Sequence, residues 1–264
     1  MIKDITLGQY LPGNSPVHRM DPRTKIVIIF AYIIVLFTVK NPVGYAVCTL
    51  FPMVVCALAK IPFKMIAKSL KPLLFFIIFT AVINLFLTNG EIVFSFWVFK
   101  ITKEGIVLTV KMALRLILLV AGTSILTYTT SPIVLTDGIE KLLSPLSKIG
   151  VPAHEIAMMM TIALRFIPTI IDETDKIMKA QSARGSDFES GNLIRRAKAL
   201  IPILVPLFIS AFKRADDLAV AMECRCYHGG KNRTKLKTIK MTGLDLVAVL
   251  VSTAVFAAVL IWGR

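Results

Sequence analysis

Apolar runs of bilayer length recur along this chain, and nothing else in the sequence limits its fold as tightly. A run near 20 residues can cross hydrocarbon as a helix, because a helix bonds its own backbone where no water can. With 56% hydrophobic residues and a mean hydropathy of +0.74, the chain exceeds the roughly 45–50% apolar content of soluble domains. The expected fold is all-α: a polytopic membrane protein with about five transmembrane helices. Further long helices are expected at the cytoplasmic or interfacial level.

The expected spans run from Lys25 to Val39, Gly44 to Leu58, Pro72 to Leu87, Gly105 to Tyr128 and Met241 to Trp262. Turns at Lys40-Asn-Pro42 and Asn89-Gly90 separate neighbours. The apolar, aromatic piece from Glu91 to Ile101 is too short to cross and reads as an interfacial hairpin or a re-entrant segment. Lys and Arg beside spans mark the cytoplasmic side. They occur before the first span (Lys3, Arg19, Arg23, Lys25), after the second (Lys60, Lys64, Lys68, Lys71) and before the last (Lys231, Arg233, Lys235, Lys237, Lys240). That pattern puts the N-terminus in the cytoplasm and the C-terminus outside a plasma membrane, with only Lys100 and Lys103 opposing it. Three regions follow: a four-span membrane region over 1–129, a helical cytoplasmic region over 130–240, and a last transmembrane helix over 241–264.

The middle region holds two long helical stretches that start apolar, carry interior prolines and end charged. The first starts at Pro152 and passes through Ile162-Ala-Leu-Arg-Phe-Ile-Pro168 and Asp172-Glu-Thr-Asp175 to Ala183-Arg184-Gly185. The second starts near Asn192 and passes through Ile201-Pro-Ile-Leu-Val-Pro206 and Lys213-Arg-Ala-Asp-Asp217 to Cys224-Arg225-Cys226. In each, an aspartate precedes the arginine by nine positions (184 − 175 and 225 − 216). Unpaired carbonyls concentrate negative charge at a helix C-terminus, which favours a cation there. A guanidinium also presents a planar fork of donors suited to a carboxylate- or carbonyl-lined pocket on another protein. The recurrence points to two equivalent docking points. The apolar halves read as lying obliquely at the interface, or as two kinked spanning helices. The carboxylates Asp172, Glu173, Asp175, Asp216 and Asp217 read as a solvated face, or as ion pairs that fix the crossing of the two helices.

Other chemistries find few parts. No G-x-x-x-x-G-K-[ST] loop is present, so ATP cannot be held by a P-loop. His154-Glu155 begins a zinc-peptidase motif, but position 158 is Met rather than His. Cys224-Arg-Cys226-Tyr-His228 lacks a second ligand cluster to complete a tetrahedron. The interiors of the expected spans offer no acidic dyad or proton relay. The net charge of +15 comes without a zinc-finger spacing or an aromatic-interleaved basic face, so it points to anionic lipid and topology rather than nucleic acid. Lys111 and Arg115 lie one turn apart on one helix face. They read as pairing with a headgroup or helix-end carbonyls, or as contact with another membrane subunit.

Several motifs join these features: Gly8-Gln-Tyr10, Pro12-Gly-Asn-Ser15, His18-Arg-Met-Asp-Pro-Arg-Thr-Lys25, Thr129-Thr-Ser-Pro132, Ile162 to Pro168, and Ala180-Gln-Ser-Ala-Arg-Gly185. Through them the chain resembles the transmembrane T component of energy-coupling factor (ECF) transporters over nearly its whole length. The resemblance implies two X-Arg-X motifs that end coupling helices and dock two ABC-type ATPase subunits. Carried over, these are Ala183, Arg184, Gly185 and Cys224, Arg225, Cys226; cysteines flank the second arginine where family members often have small residues. It also implies a separate membrane-embedded S component that binds a vitamin or other micronutrient. ATP would be bound by the partner subunits, leaving this chain without cofactor or catalysis. The residues themselves leave open a self-sufficient permease with its own substrate site and, more remotely, an intramembrane enzyme.

Overall fold

The computed structural model describes residues 10–96, 99–186, 188, 192–230 and 241–262. The chain forms two compact units. One, here the bundle, holds the described residues up to Gly138 and those from Met241 onward. The other, the coupling pair, holds those from Ile139 to Gly230.

In the bundle, a short α1 (Pro16–Arg19) leads into α2 (Pro22–Thr38) and α3 (Pro42–Ala59). Next comes an almost continuous rod made of α4 (Phe63–Leu70), a 3-10 turn and α5 (Leu74–Leu87). Two antiparallel strands, β1 (Ile92–Phe96) and β2 (Phe99–Thr102), connect it to α6 (Lys103–Thr129). The ribbon pairs as an antiparallel hairpin, and the other regular elements among the described residues are helical. α7 (Pro132–Leu143) leaves the bundle, and α10 (Gly243–Trp262) completes it. Proline opens α2, α3 and α7 at a position whose amide would be unpaired anyway.

Four of the expected spans coincide with helices long and apolar enough to cross a membrane: α3, the Phe63–Leu87 rod, α6 and α10. The fifth such helix is α8 (Ala153–Ala183), described below, whose sequence expectation left an interfacial path open. α2 has 17 residues, at the short end of what spans hydrocarbon.

Lipid tails are as apolar as leucine, so packing in a bilayer rests on close contact and on polar ties. The bundle shows both. Tyr32, Val35 and Leu36 of α2 are buried with Tyr45 and Cys48 of α3, Leu118 of α6 and Phe256 of α10. The Tyr32 hydroxyl donates to the Cys48 carbonyl at 3.0 Å. α6 approaches the Tyr32 ring at Gly122, where an added Cβ would lie 2.8 Å from a ring carbon.

The polar ties gather where α2 starts, α6 ends and α10 starts. Asp21 caps α2 by accepting from the Arg23 amide at 2.9 Å. Its own amide donates to the Asp245 carboxylate at 2.7 Å. The other Asp245 oxygen accepts from the Thr242 amide, also at 2.7 Å, closing the first turn of α10. Lys25 Nζ donates to the Thr129 carbonyl at 3.0 Å and to the Thr130 hydroxyl at 3.1 Å, closing the end of α6. Asp21, Lys25, Thr129, Thr130 and Asp245 are all buried. The preceding segment joins in: the Leu11 amide donates to the Tyr128 carbonyl at 3.0 Å. His18 Nε2–H donates to the Leu11 carbonyl at 3.0 Å, which leaves Nδ1 to accept from the Ser15 hydroxyl at 2.6 Å. Burial keeps that imidazole below its ordinary pKa of 6.5.

The coupling pair is built differently. After a 3-10 turn at Ser144–Ile149 come α8 and α9 (Leu193–Glu223), each 31 residues long. Both run unbroken through their interior prolines, Pro168 in α8 and Pro202 and Pro206 in α9. Among the described residues of this unit only Ala153, Ala157 and Ile203 are buried apolar side chains. A stripe on α9, comprising Ile201, Leu204, Val205, Phe208, Ile209 and Phe212, is exposed.

Candidate docking site at two helix ends

The two arginines singled out by the sequence occupy the same place in the same structural device. α8 ends at Ala183, with Arg184 as its C-cap at φ −86°, ψ 4°. The following Gly185 is left-handed at φ +89°. The Gly185 amide donates to the Ser182 carbonyl at 3.0 Å, and the Ser186 amide reaches back to the Gln181 carbonyl at 3.0 Å. These two bonds are the signature of a Schellman turn, which satisfies the last carbonyls of a helix by backbone alone.

α9 repeats the arrangement. Arg225 takes the capping place and Cys226 is left-handed at φ +53°. The Cys226 amide donates to the Glu223 carbonyl at 2.8 Å, and the Tyr227 amide to the Met222 carbonyl at 3.0 Å. The matching inner bond also recurs: the Arg184 amide to Gln181 and the Arg225 amide to Met222, both at 3.1 Å. Gly185 therefore corresponds to Cys226, and glycine supplies without steric cost what cysteine adopts against its Cβ.

Because the backbone closes each helix, neither guanidinium is needed as a cap. Arg184 and Arg225 are both exposed. Neither makes a side-chain hydrogen bond or ion pair among the described residues. Ala183, Gly185, Cys224 and Cys226 are exposed too, so each arginine stands on a small, open platform. What such a tip can do chemically is enter an acceptor-lined pocket on another protein with up to five donors.

The two helices are held together well behind their tips. Glu173 of α8 accepts from Arg214 of α9 at 2.6 Å and, through its other oxygen, from the Ser210 hydroxyl at 2.6 Å. This settles one of the open readings: among the carboxylates, Glu173 forms the inter-helix ion pair. Asp172, Asp216 and Asp217 are exposed.

The remaining candidates do not assemble. Glu155 is exposed, and His154 Nδ1 meets Glu140 at 3.0 Å. Cys224 and Cys226 are free thiols, and His228 Nδ1 faces the Cys226 carbonyl at 2.8 Å. Among the described residues no three His, Cys, Asp or Glu side chains converge as metal ligands. The bundle has a cavity of about 310 Å³ between α2, α3, α6 and α10, apolar apart from Lys25, Thr129 and Ser252. The buried junction of Asp21, Lys25 and Asp245 was not recognised from sequence. Its signals were the N-cap pair Asp21-Pro22 and the capping-box spacing Thr242-x-x-Asp245.

The chain is similar to known proteins over nearly its whole length. Residues 13–236 match the CbiQ family model, described as cobalt transport protein. The Energy-coupling factor transporter transmembrane protein EcfT of Ruminiclostridium cellulolyticum is 56% identical over 247 residues, covering 94% of this chain and 92% of that protein. Proteins of the same name from Clostridium kluyveri and Bacillus subtilis are 55% and 48% identical, with 100% of each chain covered in both cases.

Proposed function

The chain belongs to the CbiQ family, within its energy-coupling factor transporter transmembrane proteins, and from that premise we propose how it couples. It is a multi-pass membrane subunit of a transporter complex. Its two exposed arginines, Arg184 and Arg225, dock two ABC-type ATPase subunits, one on each tip. The ATPases bind and hydrolyse ATP; this chain binds no nucleotide and catalyses nothing. Closure of the ATPase pair moves α8 and α9, whose apolar faces pass the motion to a separate membrane-embedded S component. That component carries the substrate site, for a vitamin or another micronutrient.

The observation that carries this reading is the duplicated Schellman turn. Two helices of unlike sequence close their ends by the same backbone bonds and so leave an arginine unspent at the same position. One copy would be an ordinary helix end; two suit a partner that is itself present twice. The Glu173–Arg214 ion pair ties α8 to α9, so the two tips belong to one linked element.

The test is a pull-down of the assembled complex in mild detergent with Arg184→Ala, Arg225→Ala and the double variant. Each guanidinium makes charge-assisted bonds, of roughly 1.5–3 kcal/mol apiece. Each single variant should weaken ATPase retention roughly tenfold, and the double should lose it. If the double variant keeps both ATPases in an ATP-competent complex, the arginines are not the joints.

A further inference from the structure

Arg115 lies within α6, yet it makes no ion pair among the described residues. Its Nη2 donates to the Tyr45 hydroxyl of α3 at 3.0 Å, and its guanidinium carbon stands 5.3 Å from the centre of the Phe37 ring of α2. Its Nε is buried without a partner. Lys111 stands one turn along the same face of α6. The sequence holds no Asp or Glu between Asp21 and Glu91, none between Glu104 and Asp137, and none after Asp245. The Asp21 carboxylate caps its own helix, and Asp245 caps α10 and takes the Asp21 amide, both at the ends of α2 and α10 away from Arg115. Glu104 lies 11 residues from Arg115 along α6 (115 − 104), about 16 Å at the helical rise. A charged guanidinium in an apolar setting needs a counter-charge, so the anion must come from elsewhere.

The surroundings say which anion. Arg115 meets the end of α2 through Phe37 and the start of α3 through Tyr45, and α10 ends at Trp262. The Asn41 side chain reaches the Trp262 carbonyl at 3.5 Å, tying these ends to one level. Trp262 and Phe37 are exposed there, and so is Lys40. Aromatic rings and lysines at helix ends mark the headgroup layer of a bilayer. Below Phe37 on α2, Ile34, Phe30 and Val27 continue an exposed apolar stripe at helical spacing, about 15 Å long at 1.5 Å per residue. We propose that Arg115, Lys111 and the Tyr45 hydroxyl hold the phosphodiester of an anionic phospholipid, whose acyl chain lies along that α2 stripe. A guanidinium with a buried, unpartnered Nε suits a phosphate. Lys111 adds a second cation one turn away, on the side where it lines a groove with Glu91 and Glu104, and the stripe supplies the place for a tail that a free anion lacks.

The test uses the full-length chain in a phosphate-free maltoside detergent. Trp97, the other tryptophan in the sequence, is replaced by Phe, so that Trp262 alone reports. Phosphatidylglycerol with brominated acyl chains is titrated in, and quenching of Trp262 is followed. Loss of the charge-assisted bonds in Arg115→Gln should raise the half-saturating lipid concentration roughly tenfold. Lys111→Gln should raise it less. Arg115→Lys should fall between, which guards against a folding defect in the Gln variant. Lys64→Gln on α4 should leave it unchanged. Brominated diacylglycerol, which has the tails but no phosphate, should quench weakly and equally in all variants. Equal phosphatidylglycerol binding by Arg115→Gln and the parent overturns the site. Quenching by diacylglycerol as strong as that by phosphatidylglycerol overturns the phosphate reading. Displacement of the lipid by millimolar inorganic phosphate reassigns the site to a free anion and overturns the lipid. A partner subunit's carboxylate cross-linking to position 115 in the assembled complex, with no lipid retained, does the same.

Discussion

The bundle and the coupling pair close their helix ends by opposite means. At the junction of α2, α6 and α10, side chains from distant parts of the chain do the closing: Asp245 takes the Asp21 amide, and Lys25 takes the α6 carbonyl at Thr129. At the ends of α8 and α9 the backbone folds back on itself, and no side chain is consumed. The first solution spends charged residues on fixing helices relative to one another and hides them. The second leaves its charged residues available and in view. The difference separates an anchored frame from a part whose tips are presented outward.

That contrast can be broken in graded ways. Lys25→Met should have the largest effect on stability. It strands the Thr129 carbonyl and the Thr130 hydroxyl in a buried site, at a cost of roughly 3 kcal/mol. Thermal unfolding in detergent should register it, with hydrogen exchange accelerating where α6 passes into α7. Unchanged unfolding would mean that the junction is closed by something other than this lysine. Exchanging the residues at the left-handed positions should matter less. A Cβ in that conformation costs about 1–2 kcal/mol, so Gly185→Cys should fray the end of α8 while Cys226→Gly firms the end of α9. The amides of Ser186 and Tyr227 should then exchange roughly tenfold faster and tenfold slower, respectively. Smallest of all, Arg184→Gln and Arg225→Gln should leave the unfolding temperature where it was. A clear drop in either would show that the guanidinium helps close the helix, and the contrast would fail.

The sequence reading was strongest where the information is local. Proline starts, apolar length and basic flanks placed α3, α6 and α10 within a few residues. The positions of Arg184 and Arg225 at helix ends followed from the same signals. It was weakest where partners lie far apart in the chain. Asp245 and Asp21 are separated by 224 positions (245 − 21), and each reads locally as a cap for its own helix, so nothing pointed to their shared bond. Glu173 could not be told from Asp172 or Asp175 until the register of α8 against α9 showed which one faces Arg214 and Ser210. The left-handed turn at Cys226 was also hidden, since cysteine has no preference for that conformation. It became recognisable only when its bonds were matched to those of Gly185.

The interior prolines of α8 and α9 carry a mechanical consequence. Proline has no amide to donate, so Pro168 leaves the Leu164 carbonyl without its usual bond, and Pro202 and Pro206 do the same for Lys198 and Pro202. Bending stiffness in a helix comes from that ladder of bonds, and flexure gathers where rungs are missing. Both rods are thus most compliant part-way along, between an apolar portion and a cationic end. A push delivered at the end would arrive as a change of angle at the proline as well as a shift along the axis.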